Sequence, residues 1–280
     1  MNRRDLLLGI GGAAAGIAGV SARAAGGLDL ASRDGLLTAA VKMRGSLDDR
    51  LCIGWVIGTR YAVIEHRAIP MMGLMAATFT RYQQIRDDAF AAKSLEIAYF
   101  TDLDDRRLLQ SWVNPVTGKR VDVPRTRMGP SRFVLTADGL DLQVPAGEAR
   151  GLELNHRFDT PVVRGDDVWI TEVIDAASEP RPDRAPFVYN EMTTYHASMS
   201  DLVDPGQAAV ATNVSFHGLV TFRPWMGFGD TPGHTTAHGA GTRAARVEDL
   251  PAYWLELTEK FHPDVLDDPL GALEGEPDDD

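Results

Sequence analysis

Residues 187–196 mix the side chains that acid/base chemistry needs. Read as a strand, the segment turns Phe187, Tyr189, Glu191, Thr193 and Tyr195 to one side and Val188, Asn190, Met192, Thr194 and His196 to the other. Neither set is plainly core or plainly solvent. A lone carboxylate among aromatic rings suits the wall of a ligand cavity, where Glu191 can give or take a proton. The same pattern also fits a sheet edge with Glu191 in water, and spacing alone does not choose.

Four of the seven histidines, His196, His217, His234 and His238, fall late in the chain on strands or the loops after them. His196 and His217 are candidate proton-transfer groups beside Glu191, and His238 a candidate ligand contact. His234 and His238 have the i, i+4 spacing of a zinc-binding helix. Their surroundings, Pro232-Gly233-His234-Thr235-Thr236-Ala237-His238-Gly239, argue against a helix. On a strand the two would lie about 13 Å apart, at roughly 3.3 Å per residue. One metal cannot span that, since its histidine ligands sit about 2.0–2.1 Å away. A metal held by one of them with His196, His217 and Glu191 stays open as an alternative.

Arg223-Pro224-Trp225-Met226-Gly227 follows the strand that carries His217 and reads as a cavity mouth or a packed corner. Tyr189, Tyr195, Trp225, Arg223 and His238 are therefore the expected ligand-binding residues. Other signals have plainer explanations. Asp102-Leu103-Asp104-Asp105 and Arg164-Gly165-Asp166 are turn sequences. Cys52, the single cysteine, reads as a small buried hydrophobe and permits no intrachain disulfide. Phosphate loops, dinucleotide fingerprints, nucleophile elbows and Cys-x-x-Cys pairs do not occur, so no cofactor is evident.

The elements that must position these residues are short and β-rich. Strands are expected at 51–57, 62–65, 95–100, 108–113, 119–123, 133–135, 152–158, 168–174, 187–196, 210–222 and 234–244. Asn114-Pro115-Val116-Thr117-Gly118 makes one hairpin turn. Apolar spacing at 34–43 predicts a helix, and Tyr253, Trp254, Leu257 and Phe261 form the apolar stripe of another. Met71-Met72-Gly73-Leu74-Met75 reads as adaptable core, or else the floor of a pocket. The expected fold is mainly β with a few helices. It is an antiparallel β meander forming a barrel-like or sandwich domain, with a C-terminal helix packed on it. A β–helix–β rhythm is missing, which argues against dinucleotide-fold and TIM-barrel architectures.

At the N-terminus, Arg3-Arg4 precede an uncharged Gly/Ala-rich stretch at 6–20, followed by Ala22-Arg23-Ala24. This is the arrangement of a twin-arginine signal peptide, 1–24, whose 15-residue apolar stretch is shorter than the about 20 residues a membrane-spanning helix needs. The expected domain is 25–268, delivered to the periplasm by the twin-arginine translocase. The expected tail, 269–280, is acidic and disordered. The formal charge is −12, and loss of residues 1–24 makes it two units more negative. Such acidity disfavours nucleic acid as a partner, and no apolar run outside the signal is long enough for a membrane span after cleavage.

Several stretches resemble a known family. They are Val41-Lys42-Met43-Arg44-Gly45-Ser46-Leu47, Trp112-Val113-Asn114-Pro115-Val116-Thr117-Gly118, Tyr195-His196-Ala197-Ser198-Met199-Ser200-Asp201-Leu202 and Arg223-Pro224-Trp225. With Leu250-Pro251 and Phe261-His262-Pro263, they are similar to the bacterial and fungal family labelled domain of unknown function 1838, over roughly residues 30–268. Many bacterial members look similarly exported. The resemblance implies one domain and brings no catalytic residues.

The leading expectation is an exported protein that binds a small apolar or aromatic molecule in an internal cavity. Acid/base chemistry there, of isomerase, lyase or hydrolase type, would use Glu191, His196 or His217. A non-enzymatic ligand-binding or scaffolding barrel and a metal-dependent enzyme using the late histidines are the alternatives.

Overall fold

A computed structural model of the chain describes residues 27–143, 152–178 and 186–275. The expected signal peptide lies outside them. After helix α1 (Arg33–Arg44) come strands β1 (Leu51–Ile64), β2 (Arg67–Arg86), β3 (Ala89–Thr101), β4 (Ser111–Val113), β5 (Arg120–Asp122), β6 (Thr126–Thr136) and β7 (Gly139–Gln143). Then follow β8 (Leu152–Phe158), β9 (Val162–Arg164), β10 (Asp167–Ser178), β11 (Val188–Ser198), helix α2 (Met199–Val203), β12 (Asn213–Thr221) and β13 (His234–Ala244). Helices α3 (Ala252–Phe261), α4 (Pro263–Asp267) and α5 (Pro269–Glu274) end the described chain.

Ten strands pair antiparallel in the order β7-β6-β3-β2-β1-β13-β12-β11-β10-β8, with β9 added beside β10 and β4–β5 forming a separate hairpin. The two ends of this path lie side by side, so the sheet curls into a nearly closed barrel. Neighbours in the sheet are mostly neighbours in sequence, as tight turns dictate. Between β1 and β2, Glu65 and His66 both take positive φ, 48° and 64°, which matches the right-handed twist of a two-residue hairpin.

Strand β2 was not expected as one strand, and the reason is physical. From Met71 to Ala77 every residue is buried. The outer face of β1–β3 carries Ile53, Ala77, Phe79, Leu95, Ile97 and Tyr99, and these pack under Trp254, Leu257, Val265 and Leu273 of the C-terminal helices. The inner face is core as well. A strand covered on both sides loses the alternating pattern that marks a half-buried one. The Met-rich run is thus core, with Met72 fully buried and Leu74 reaching the lumen.

The expected acidic tail at 269–280 needs correction. Residues Pro269–Glu274 form α5, Leu273 is fully buried, and Glu274 pairs with Lys93 and Arg81. Residues 276–280 lie outside the described part. The charge of this segment hid two apolar side chains, Ala272 and Leu273, which belong to the core.

Both ends of the barrel are stoppered. At one end α1 inserts Leu37 and Val41 against Tyr82, Phe90, Phe133 and Leu135, and Ala39 and Met43 against Val168, Ile170 and Leu202. Its N-terminus is capped by Ser32, whose Oγ accepts from the Gly35 N–H at 3.1 Å. At the other end the β4–β5 hairpin brings Trp112 against Phe228, and Asn114 Nδ2 donates to the Met226 carbonyl at 2.9 Å.

Candidate functional site

Between these two plugs lies a lumen of about 370 Å³, within the size range of small-molecule sites. Its wall combines apolar residues (Val56, Leu74, Ala76, Phe216) with Thr78, Thr80, Ser94, Thr193 and Thr235. Charged and phenolic groups also line it: Arg44, Arg60, Glu96, Tyr189, Glu191, Tyr195, Arg223 and Arg243.

Room for a ligand comes from small residues at matched positions. Arg60 pairs with Ala237, Ala237 with Gly218, and Gly218 with Glu191, one row across four strands. The row has charged ends and a bare middle. A Cβ placed on Gly218 would meet only the Asn190 carbonyl oxygen, at 4.0 Å, so its inner side is open space.

Glu191 is held from its own strand. Its carboxylate accepts from the Tyr189 hydroxyl, and from Thr193 Oγ1 at 2.8 Å. Both donors sit two residues away, where strand alternation returns side chains to the same face. Burial, and then the Glu191 charge, push the Tyr189 phenol well above its ordinary range, so it stays a donor.

Glu96 faces this group from the opposite wall. It sits on β3, five strands from β11 along the order β3-β2-β1-β13-β12-β11, half of a ten-strand circuit. Among the described residues no donor is hydrogen-bonded to its carboxylate. Burial raises its pKa to about 7, the Glu191 charge adds to the rise, and Arg60 opposes it. A carboxyl that titrates near neutrality can both give and accept a proton.

A second polar cluster locks α1 onto the barrel. Glu172, 2% exposed, accepts from Arg44 Nη1 at 2.6 Å, from His156 Nε2 at 2.7 Å and from the Tyr195 hydroxyl at 3.2 Å. Burial alone would raise the Glu172 pKa, but the Arg44 charge and the hydrogen bonds outweigh it and hold it low. Arg243 Nη1 donates to the carbonyls of Lys42 and Gly45 at 3.0 and 2.7 Å, closing the C-terminal end of α1.

Of the residues singled out from sequence, Tyr189, Glu191, Tyr195 and Arg223 lie on the lumen wall. The histidines do not join them. His196 is on the outer face of β11, stacked on Trp169 at 4.8 Å and bonded to Asp167 at 2.8 Å. His217 and His238 are exposed and face each other across β12 and β13, with His217 Nε2 3.3 Å from Thr236 Oγ1. The expectation that these three share a cavity with Glu191 is corrected by the period of two. Residues 191 and 196 are an odd number apart, and His217 stands beside Gly218, which faces inward opposite Glu191. The same geometry dissolves the metal set of His196, His217 and Glu191. Among the described residues no group of three or more His, Cys, Asp or Glu side chains is placed to hold a metal.

Trp225 packs in the apolar end of the barrel, 5.6 Å from Phe100, and so takes the packed-corner option rather than the mouth. Glu96 and Arg60 are the lumen residues that sequence reasoning missed. A signal existed for Glu96: in Leu95-Glu96-Ile97-Ala98-Tyr99 it is a single charge inside an apolar strand, and such a charge calls for a partner or a cavity.

The family model described as Protein of unknown function (DUF1838) matches residues 50–276, and the chain belongs to that family. No curated protein is significantly similar to it.

Proposed function

For this family member, we propose that the barrel binds a small apolar or aromatic molecule in its lumen and performs acid/base chemistry on it, with Glu96 and Glu191 as the proton-transfer pair. The observation that carries this is a pair of carboxyls on opposite walls of one lumen. One is anchored by Tyr189 and Thr193; the other has no hydrogen-bonded donor among the described residues and a pKa of about 7. Environments that differ this much divide two chemically similar groups into different roles. Glu191, fixed in position, suits the group that meets the substrate first. Glu96 suits the group that returns or removes a proton from the far side. An isomerase, lyase or hydrolase step fits such a pair.

The export reading belongs to the same proposal. It is supported by Arg3-Arg4, the apolar stretch at 6–20 and Ala22-Arg23-Ala24, and it makes the site periplasmic. Among the described residues no helix is long and apolar enough to cross a membrane.

Native mass spectrometry of protein recovered from its natural export route identifies the bound molecule, which is then returned to the purified chain. Turnover is expected, falling about a hundredfold or more in Glu96→Gln and Glu191→Gln. A His217→Ala chain is expected to turn over at the unaltered rate. A ligand that binds and is released chemically unchanged would reduce the reading to a non-catalytic binding barrel.

A further inference from the structure

The outer face of the barrel carries an arrangement that the lumen chemistry does not use. His217 on β12 stands directly opposite His238 on β13 and, on its other side, directly opposite Met192 on β11. All three turn away from the lumen, since Glu191, Thr193, Phe216, Gly218 and Ala237 beside them line it. The two histidines are exposed, and Met192 is 39% exposed. Among the described residues Met192 belongs to none of the apolar clusters, so packing does not account for its place.

Register makes this row compact. Residues directly opposite on antiparallel strands have Cβ atoms about 4.5–5.5 Å apart. Two imidazoles so spaced converge on one ion at metal–nitrogen distances of about 2.0–2.1 Å. Met192 reaches the same point from the far side of His217 through its flexible, unbranched side chain. A hydrogen bond orients the middle ligand. The Thr236 hydroxyl has a single proton and donates it to the Gly218 carbonyl at 3.0 Å. Toward His217 Nε2, 3.3 Å away, its oxygen therefore accepts. Neutral His217 then carries its proton on Nε2 and keeps the Nδ1 lone pair for a metal, as outer hydrogen bonds arrange for ligating histidines. Among the described residues the His238 ring makes no hydrogen bond.

The donor types select the metal. Thr59 and Val173 complete the row at its two ends. The outward positions two residues along β11, β12 and β13 carry neither carboxylate nor thiolate. Calcium and magnesium want oxygen ligands, and structural zinc wants four donors, commonly thiolates among them, so these ions are poorly served. Two imidazoles with one thioether suit cuprous copper. We propose that His217, His238 and Met192 form a surface site for one Cu(I) ion. The row stands outside the lumen, and the acid/base chemistry there does not depend on it.

Anaerobic titration of the purified full-length chain with Cu(I), in competition with the chelator ferrozine at about pH 8, where imidazole is neutral, tests this. The chain is expected to withdraw about one equivalent of copper from the chelator. His217→Ala and His238→Ala are each expected to weaken that binding about tenfold or more. Met192→Leu, which keeps the bulk and removes the sulfur, is expected to do the same. All three side chains are exposed, so the variants keep the fold, which circular dichroism checks. Uptake below about 0.1 equivalent, or uptake undiminished in either histidine variant, would overturn the site. Dependence on both histidines but not on Met192 would overturn the cuprous assignment.

Discussion

Glu96 and Glu191 face each other across the lumen from strands half a barrel apart, and the Glu191 charge helps to raise the Glu96 pKa. Chain order keeps them 95 positions apart; the closing of β13 onto β1 brings them to one space. That relationship has a cost in stability.

Folding raises Glu96 from an ordinary 4.5 to about 7, so between these values the folded chain binds more protons than the unfolded one. Stability contributed by its protonated form is present below the unfolded pKa and is lost as pH rises through the folded one. Glu96→Gln removes the titration. The variant is expected to exceed the natural chain at about pH 8 by on the order of 2 kcal/mol, allowing for cavity water, and to match it at about pH 4. Urea denaturation at the two pH values measures this. A variant equally or less stable at the higher pH would contradict it.

Gly218→Leu should fill the lumen without strain, since an added Cβ meets nothing nearer than 4.0 Å. Stability is expected to stay within about 1 kcal/mol of the natural chain, with binding of a neutral aromatic probe, 2-naphthalenemethanol, weakened about tenfold or more. Undiminished probe binding would place the ligand elsewhere.

Removing Glu172 leaves Arg44 buried without its counter-ion and frees His156 and Tyr195 from their shared acceptor. Glu172→Ala is expected to cost about 3–5 kcal/mol, read from the denaturation midpoint. Because folding holds the Glu172 pKa low, its contribution is present above the ordinary carboxyl pKa and fades as pH falls through the lowered one. The loss caused by Glu172→Ala should therefore shrink in acid.

Leu273 lies in a segment whose acidity reads as tail, yet it is fully buried against the barrel. Leu273→Ala is expected to cost about 2–5 kcal/mol. A loss below about 0.5 kcal/mol, the scale of surface substitutions, would restore the tail reading for residues 269–275.

The sequence by itself determined what local physics controls. Strand β13 could be read at its full bounds, α1 nearly so, and the hairpin at Asn114–Gly118 directly, because turns and periodicity are local. Alternation also assigned Tyr189, Glu191, Thr193 and Tyr195 to one face. Which face was inside could not be read, since both carry polar groups, and the histidines looked as eligible as the carboxylates. Tertiary structure decided that by closing the barrel on the Glu191 side and leaving His217 and His238 outside. It also supplied Glu96 and Arg60 as partners, and it covered β2 on both faces. Those facts depend on contacts between distant strands, which no local pattern encodes.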